Sequence, residues 1–130
     1  MKIGIVGCAG RMGRMLIREV LSHPDATLAG ATEAPGNAVL GQDPAGLVDA
    51  DATGLTIGDD ARTLFEASDA VIDFTAPAVT LAHAAMAADT DTALIVGTTG
   101  FDADQQRELE SFGQQAVVFQ AANFSIGVNL

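Results

Sequence analysis

The sequence predicts an α/β fold built on a doubly wound parallel sheet. Short apolar runs alternate with helical segments along the chain, and a glycine-rich turn joins the first run to the first helix. Strands that are apolar on both faces are typical of a parallel sheet covered by helices on each side. The chain has 130 residues, which is enough for one such domain.

The chain is predicted to begin with a strand, a helix and a second strand. Ile3–Val6 is a β-branched apolar run that ends at a glycine, which indicates a buried strand. Between residues 11 and 22, apolar side chains recur at helical spacings. These side chains are Met12, Met15, Leu16, Val20 and Leu21. The helix should end at His23, because the residue before Pro24 disfavours the α conformation, and Thr27–Thr32 then predicts the second strand.

The segment 34–54 interrupts this pattern. Its glycines and prolines follow no apolar period, so we expect a long, mobile loop. A brief strand at Leu55–Ile57 should follow, and then a helix over Asp60–Ala67 with Asp59 or Asp60 as its N-cap.

The second half of the chain is more regular. Three strands are predicted, at Ala70–Phe74, Ala93–Val96 and Ala116–Phe119. Pro77 suits the first turn of a helix that extends to about Ala88. Asp102 should cap another helix, which extends to Phe112 and which Gly113 should end.

Composition excludes several classes of function. Six basic residues against 17 acidic ones give a net charge of -11, which disfavours nucleic-acid binding. No apolar run approaches the roughly 18 residues of a membrane span, and no signal peptide is recognisable, so we expect a cytoplasmic protein. The single cysteine, Cys8, excludes an internal disulfide and a cysteine-rich metal site. His23 and His83 lack ligand spacing, so each should be a solvated helix residue, and we expect no metal.

The turn GCAGRMG at residues 7–13 carries the clearest chemical signal. Gly7 allows a sharp exit from the strand, Gly10 lets the backbone approach a pyrophosphate, and Gly13 lets the helix pack close to the sheet. The N–H groups at the helix start would then face the phosphates. Glu33 lies 20 residues beyond Gly13, where an acid accepts hydrogen bonds from the adenosine ribose. Together the strand, the helix and the acid predict dinucleotide binding.

Other segments belong to the same edge of the predicted sheet. In an open α/β sheet, ligands bind beyond the carboxyl ends of the strands, and residues 73–75, 97–100 and 121–124 occupy that position. Cys8 lies inside the glycine turn, where a helix N-terminus could lower its pKa and give it a redox role. We favour the alternative that Cys8 is simply a small residue that fits beside a phosphate.

Four segments together resemble a known family. They read GCAGRMGR at 7–14, VIDFT at 71–75, VGTTGF at 96–101 and AANFSIGVN at 121–129. In combination they are similar to the N-terminal domain of the 4-hydroxy-tetrahydrodipicolinate reductase family, also called dihydrodipicolinate reductase. The resemblance implies that residues 1–124 form the dinucleotide-binding domain. It also implies that residues 125–130 begin the hinge and helix into a C-terminal substrate and tetramerisation domain.

The resemblance also implies an activity and a set of binding residues. The family consists of oxidoreductases of lysine and diaminopimelate biosynthesis, which reduce a cyclic imine dicarboxylate with NADH or NADPH. The whole protein would be a homotetramer. Its protonating His and its Lys would lie beyond Leu130, so no catalytic residue is expected in this chain. The implied cofactor-binding residues are Gly7, Cys8, Ala9, Gly10, Arg11 and Met12 at the pyrophosphate, Glu33 at the ribose, Phe74, Thr75, Gly97, Thr98 and Thr99 around the nicotinamide, and Ala121, Ala122, Asn123 and Phe124 closing the pocket.

Two departures from the family pattern bear on the choice of cofactor. Many relatives carry Arg directly after the ribose-binding acid, where this chain has Ala34, and some carry Arg where it has Ala76. Both changes weaken the case for NADP, although Arg11 remains a possible partner of a 2′-phosphate. We therefore expect NADH to bind at least as tightly as NADPH.

Two other functions remain open at the level of sequence. Another amino-acid-pathway dehydrogenase, such as homoserine or diaminopimelate dehydrogenase, would share a similar N-terminal half. The Gly-Thr-Thr-Gly segment at 97–100 and the Asn-Phe-Ser segment at 123–125 argue against this reading. A redox-sensing regulatory module would bind NAD without a substrate pocket, and only sequence beyond Leu130 would separate it from the enzyme.

Overall fold

A computed structural model describes residues 1–120. Its strands are β1 (Lys2–Val6), β2 (Thr27–Thr32), β3 (Ala70–Asp73), β4 (Ala93–Val96) and β5 (Val118–Gln120). Its α-helices are α1 (Arg11–Ser22), α2 (Ala61–Ala67), α3 (Pro77–Thr90) and α4 (Ala103–Ser111), and 3₁₀ helices lie at Pro44–Val48 and Phe112–Gln114. The prediction that residues 125–130 begin a hinge and a helix concerns residues outside this range.

The five strands form one parallel sheet in the order β2-β1-β3-β4-β5. The strand order reverses between β1 and β3, because the chain moves outward from β1 to β2 and then returns to the other side of β1. Ligands bind at such a reversal in open α/β sheets, beyond the carboxyl ends of the strands. The predicted doubly wound parallel sheet is confirmed.

Helices cover the sheet on both faces, and successive residues of a strand point to opposite faces. Ile5 contributes to the cluster that includes Ile17 and Val20 of α1. The next residue, Val6, belongs to the cluster with Phe65 of α2 and Ala84 of α3. Each central strand is therefore buried on both sides, as its continuous apolar sequence indicates.

The buried face of α1 differs from the predicted one. Gly13, Ile17 and Val20 are its buried residues, whereas Met12 and Met15 are exposed by 36% and 53% of their surface. A residue as small as Gly13 at the interface brings the helix axis close to the turn before it. The stripe that contacts the sheet is consequently rotated away from the two methionines.

The segment 34–54 is irregular, as predicted, but its middle is anchored by a 3₁₀ helix that the sequence did not suggest. Pro44, Ala45 and Val48 of that helix are buried. The Asp43 carboxylate caps the helix by accepting from the Ala45 N–H at 2.9 Å, and it also accepts from the N–H and the hydroxyl of Thr53. These hydrogen bonds hold the pKa of Asp43 below its usual value. These contacts anchor the middle of the segment, and the mobility of its other residues stays a prediction.

One predicted strand and several predicted bounds were wrong. The strand β3 ends at Asp73 and not at Phe74. Leu55–Ile57 is not a strand, because the Ile57 N–H donates to Gln42 in the preceding loop and only Gly58 bridges to the sheet, at Thr32. Gly113 does not end α4 but lies within the following 3₁₀ helix. The last strand begins at Val118 and not at Ala116. Among the helices of residues 1–120, none is long and apolar enough to cross a bilayer.

Candidate dinucleotide-binding site

The glycine turn lies at the carboxyl end of β1. Gly7 has a φ of +68°, a conformation that favours glycine, and a Cβ on it would come within 3.0 Å of Thr75 Cγ2. A Cβ on Gly13 would overlap the Gly7 carbonyl oxygen and lie 2.7 Å from Cys8 Cα. The protein itself therefore requires glycine at both positions, for the sharp turn and for the close helix packing that the spacing predicts.

Gly10 has a different reason for being glycine. Its φ is -67°, which any residue adopts, and a Cβ would meet only the Gly7 oxygen, at an ordinary contact distance of 3.5 Å. Neither backbone strain nor crowding within the described residues explains the glycine. A ligand that lies against the backbone at Gly10 would explain it.

The first turn of α1 presents backbone N–H groups at this same place. Gly10 caps the helix without a side-chain hydrogen bond, and the first turn contains no acidic residue. The amides of Arg11 and Met12 therefore lack the side-chain cap that Asp60 provides for α2. The uncapped start of a 12-residue helix combines donors with a positive dipole end, which suits a phosphate group.

Glu33 lies directly against this turn. One of its carboxylate oxygens accepts from the Ala9 N–H at 2.9 Å, and the other accepts from the Ala34 N–H at 2.9 Å. The Glu33 N–H donates to the Gly58 carbonyl, which fixes the backbone at the end of β2. The acid at the predicted spacing thus lies beside the predicted phosphate turn.

The side chain of Cys8 does not face the site. It is fully buried in the core beside α1, and burial, followed by the negative charge of Glu33, raises the pKa of the thiol to about 11. A thiol with so high a pKa stays protonated at neutral pH and is a poor nucleophile. The redox reading is therefore wrong, and so is the idea that this side chain fits beside a phosphate. No atom of Cys8 is exposed, and its N–H donates to the Thr32 carbonyl at 3.2 Å.

A cavity of about 290 Å³ opens above the reversal of strand order. Its walls come from the ends of β1 and β2, the start of α2, and the first turns of α3. The residues that line it include Gly7, Glu33, Ala34, Pro35, Asp59, Thr75, Val79 and His83. Sequence reasoning did not connect Asp59, Val79 or His83 with the site. Asp59 is brought to the site by its neighbour Gly58, which bridges to the last residue of β2, and this contact is visible only in the structure.

The turns after β3 and β4 meet beside this cavity. The Thr75 N–H donates to the Thr98 hydroxyl at 3.0 Å, and a Cβ on Gly97 would overlap the Phe74 ring. The structure thus brings together four residues that the resemblance places around one pocket: Phe74, Thr75, Gly97 and Thr98. The next residue, Thr99, is exposed. The four other members of that set, Ala121, Ala122, Asn123 and Phe124, lie outside the described residues.

His83 is not the solvated residue that the sequence suggested. It is buried, with 7% of its surface exposed, and its Nδ1 lies 2.7 Å from Oδ2 of the buried Asp73. The spacing of Thr80, His83, Ala84 and Ala87 marks the buried face of α3, and this periodicity was the signal that could have revealed it. His23, by contrast, is exposed at the end of α1.

Sequence comparison relates the chain to one family. Residues 1–124 match the sequence profile of the family described as dihydrodipicolinate reductase, N-terminus. A 4-hydroxy-tetrahydrodipicolinate reductase of Burkholderia ambifaria is 47% identical over 130 residues, which are 100% of this chain and 49% of that protein. The enzyme of the same name from Cupriavidus metallidurans is 49% identical over 129 residues, or 99% of this chain and 48% of that protein. The chain spans about half the length of these curated relatives.

Comparison of structures supports the fold. A dipicolinate-bound dihydrodipicolinate reductase from Paenisporosarcina sp. TG-14 superposes with a TM-score of 0.70 at 19% identity, over 98% of this chain and 49% of that one. An amine dehydrogenase from Mycobacterium smegmatis reaches a TM-score of 0.73 at 14% identity, over 92% of this chain and 38% of that one. At such identities the likeness shows a shared architecture and nothing finer.

Proposed function

Because the chain belongs to the dihydrodipicolinate reductase N-terminal family, we propose that it supplies the nicotinamide-dinucleotide-binding half of a reductase. The substrate of the whole protein is 4-hydroxy-tetrahydrodipicolinate, a cyclic imine dicarboxylate, and the product is tetrahydrodipicolinate, an intermediate of diaminopimelate and lysine biosynthesis. The names of the relatives support this proposal. We also propose a homotetrameric whole protein, as the resemblance implies, and a cytoplasmic location, which suits the biosynthetic enzymes that the relatives are named as.

One observation carries the proposal: an uncapped helix start, an unexplained glycine and an acid meet at one point of the sheet edge. The backbone of residues 7–12 would wrap the pyrophosphate, with the uncapped N–H groups of Arg11 and Met12 as the donors. Glu33, already held by the amides of Ala9 and Ala34, retains lone pairs that can accept hydrogen bonds from the ribose hydroxyls. No positively charged side chain is needed for this binding, which suits an acidic protein.

The strand-end turns would receive the other end of the cofactor. The nicotinamide, when bound, supplies the hydride for the reduction. Phe74, Thr75 and the turn 97–99 would orient that ring and keep water from it, and residues 121–124 would close the pocket. The described residues contribute binding and orientation, because neither histidine is placed as an acid: His83 is hydrogen-bonded to Asp73, and His23 lies at the far end of α1.

The adenosine end of the cavity favours NADH over NADPH. Glu33 and Asp59 both line the cavity, and the described residues of its lining include no lysine or arginine. A 2′-phosphate would add negative charge next to these carboxylates, within a chain whose net charge is already -11. Arg11 is exposed on the first turn of α1, and a partly exposed ion pair contributes only about 1 kcal/mol or less. We therefore propose that NADH binds at least as tightly as NADPH.

Calorimetric titration of NADH into the 130-residue chain tests the proposal. We expect one NADH to bind per chain and no measurable turnover of the cyclic imine, because the protonating groups of the family are assigned to the second domain. A chain that binds no NADH at millimolar concentration would contradict the proposed binding function. Turnover by this chain alone would contradict the division of roles between the two domains.

A further inference from the structure

A buried polar cluster lies beneath the candidate site and has no role in the function described so far. It consists of Asp73, Thr75, Thr80, His83 and Thr98, from the end of β3, the helix α3 and the turn after β4. Asp73 and Thr80 have no exposed surface, and His83 and Thr98 expose 7% and 5%. Burial of a carboxylate is unfavourable unless it is hydrogen-bonded, so a group kept in this position needs an explanation.

The carboxylate of Asp73 has its two shortest hydrogen bonds on different oxygen atoms. His83 Nδ1, on the second turn of α3, lies 2.7 Å from Oδ2, and the Thr75 hydroxyl donates to Oδ1 at 2.6 Å. In this contact we take Nδ1 of His83 as the donor and the Asp73 carboxylate as the acceptor. The imidazole also packs against the Phe65 ring at a centroid distance of 5.7 Å, which fixes its plane.

The hydroxyl of Thr98 joins this pair to the turn after β4. It accepts from the Thr75 N–H at 3.0 Å and from the Thr80 hydroxyl at 2.8 Å, and it lies 3.4 Å from Oδ1 of Asp73. Thr98 is the middle residue of the turn 97–99. The position of this turn therefore depends on a chain of hydrogen bonds that begins at His83 on a packed helix.

We propose that His83 is a positioning residue: through Asp73 it holds the turn 97–99 in the conformation that receives the nicotinamide ring. This inference rests on the proposed function. A turn held in advance loses less conformational freedom when its ligand binds, and the ligand consequently binds more tightly. The expected signature is selective, because loss of His83 weakens binding of the nicotinamide half of the cofactor more than binding of the adenosine half.

Four substitutions distinguish a positioning role of His83 from a role as a mere wall of the cavity. His83→Leu keeps most of the side-chain volume and removes the donor, whereas His83→Asn retains an N–H near the position of Nδ1. Thr98→Val removes only the hydroxyl at the other end of the chain of hydrogen bonds. Thr92→Val is the matched control, since Thr92 is equally buried, at 2% exposure, and its hydroxyl donates to the Phe65 carbonyl outside the cluster.

The experiment measures dissociation constants of NADH and of ADP-ribose, which lacks the nicotinamide, for the 130-residue chain and each folded variant. We expect NADH to bind about tenfold more weakly to His83→Leu and to Thr98→Val, an effect comparable to loss of one hydrogen bond to a charged group. The affinity for ADP-ribose should change by less than about twofold. His83→Asn should recover most of the NADH affinity, and Thr92→Val should alter neither ligand.

Two results would overturn the inference while leaving the proposed function intact. Equal losses of NADH and ADP-ribose affinity in His83→Leu would mean that His83 acts only as a wall of the cavity it lines. If His83→Asn bound NADH no more tightly than His83→Leu, the hydrogen-bond donor at Nδ1 would play no part in NADH binding. If the unmodified chain bound neither ligand, the proposed function would fall, and this inference with it.

Discussion

At the end of β1 the candidate site is formed by backbone, whereas at the ends of β3 and β4 it is formed by buried side chains. The first region consists of Gly7, Gly10, the start of α1 and the amides that hold Glu33. The second depends on Asp73 and its hydrogen-bonded partners on α3 and on the turn after β4. In the first region the N–H groups at the start of α1 have no side-chain cap. In the second region every buried side-chain nitrogen and oxygen atom has a hydrogen-bond partner.

The difference predicts that the two regions tolerate substitution differently. In the backbone region, a substitution matters where a Cβ would collide, and such positions can be read from a glycine spacing. In the side-chain region, a substitution matters where it removes one partner of a buried hydrogen bond, because the remaining partner keeps its full desolvation penalty. The following predictions test this distinction, beginning with the largest expected effect.

Gly13→Ala should destabilise the fold by about 3 kcal/mol, since the new methyl group would overlap the Gly7 oxygen and crowd Cys8. Denaturant unfolding measures the loss. Gly10→Ala is the matched control and should cost less than about 1 kcal/mol, because its Cβ has room and only the N-cap preference changes. Equal losses of unfolding free energy in the two variants would contradict the distinction between Gly13, which helix packing requires, and Gly10, which only a ligand would require.

The buried Cys8 thiol should make stability fall at alkaline pH. Its pKa is about 11 in the folded chain against an ordinary value of 9.0. Between these values the unfolded chain releases the proton and the folded chain retains it, so the free energy of unfolding decreases as the pH rises. The decrease is roughly 2 kcal/mol. The free energy of unfolding, measured at pH 8 and at pH 11, should show this decrease in the unmodified chain and not in Cys8→Ala. Identical pH profiles for the two proteins would contradict the buried placement of the thiol.

Ala34→Arg should have the smallest effect, an improvement of about fivefold in NADPH affinity, in line with an exposed ion pair of about 1 kcal/mol or less. The new cation would stand beside Glu33 in the cavity lining. Ala38→Arg adds the same charge at an exposed position outside that lining and controls for the change in net charge. An equal gain in both variants would mean that position 34 does not select the cofactor, and tenfold tighter NADPH binding by the unmodified chain would contradict the proposed preference.

The backbone region could be predicted from the sequence because its signals are local. A short apolar run, the three glycines of the turn at 7–13 and a helix start lie within residues 3–13, and the bounds predicted for α1 and β2 agree with the structure. Glu33 is further away, but its position follows from the constant length of a strand-helix-strand unit. The expectation that its carboxylate would lie near the phosphate turn needed no knowledge of side-chain packing.

The side-chain region could not be predicted in the same way. Asp73 and His83 are ten residues apart, and Thr98 follows another fifteen residues later, so their contact depends on how α3 packs on the sheet. The lack of metal-ligand spacing predicts that His83 is solvated, whereas the structure buries it. The error at Leu55–Ile57 has a similar cause, because the β-like sequence finds its hydrogen bonds in the loop at Gly41 and Gln42 and not at the sheet edge.

The most direct test of the central claim is the affinity of folded Gly10→Val for NADH. The account predicts a loss of about 100-fold or more, because the side chain would occupy the space where the backbone meets the pyrophosphate. Gly46→Val, at an open position in the 3₁₀ helix away from the cavity, should bind NADH as the unmodified chain does. If Gly10→Val stayed folded and bound NADH with unchanged affinity, the glycine turn would not be the dinucleotide site.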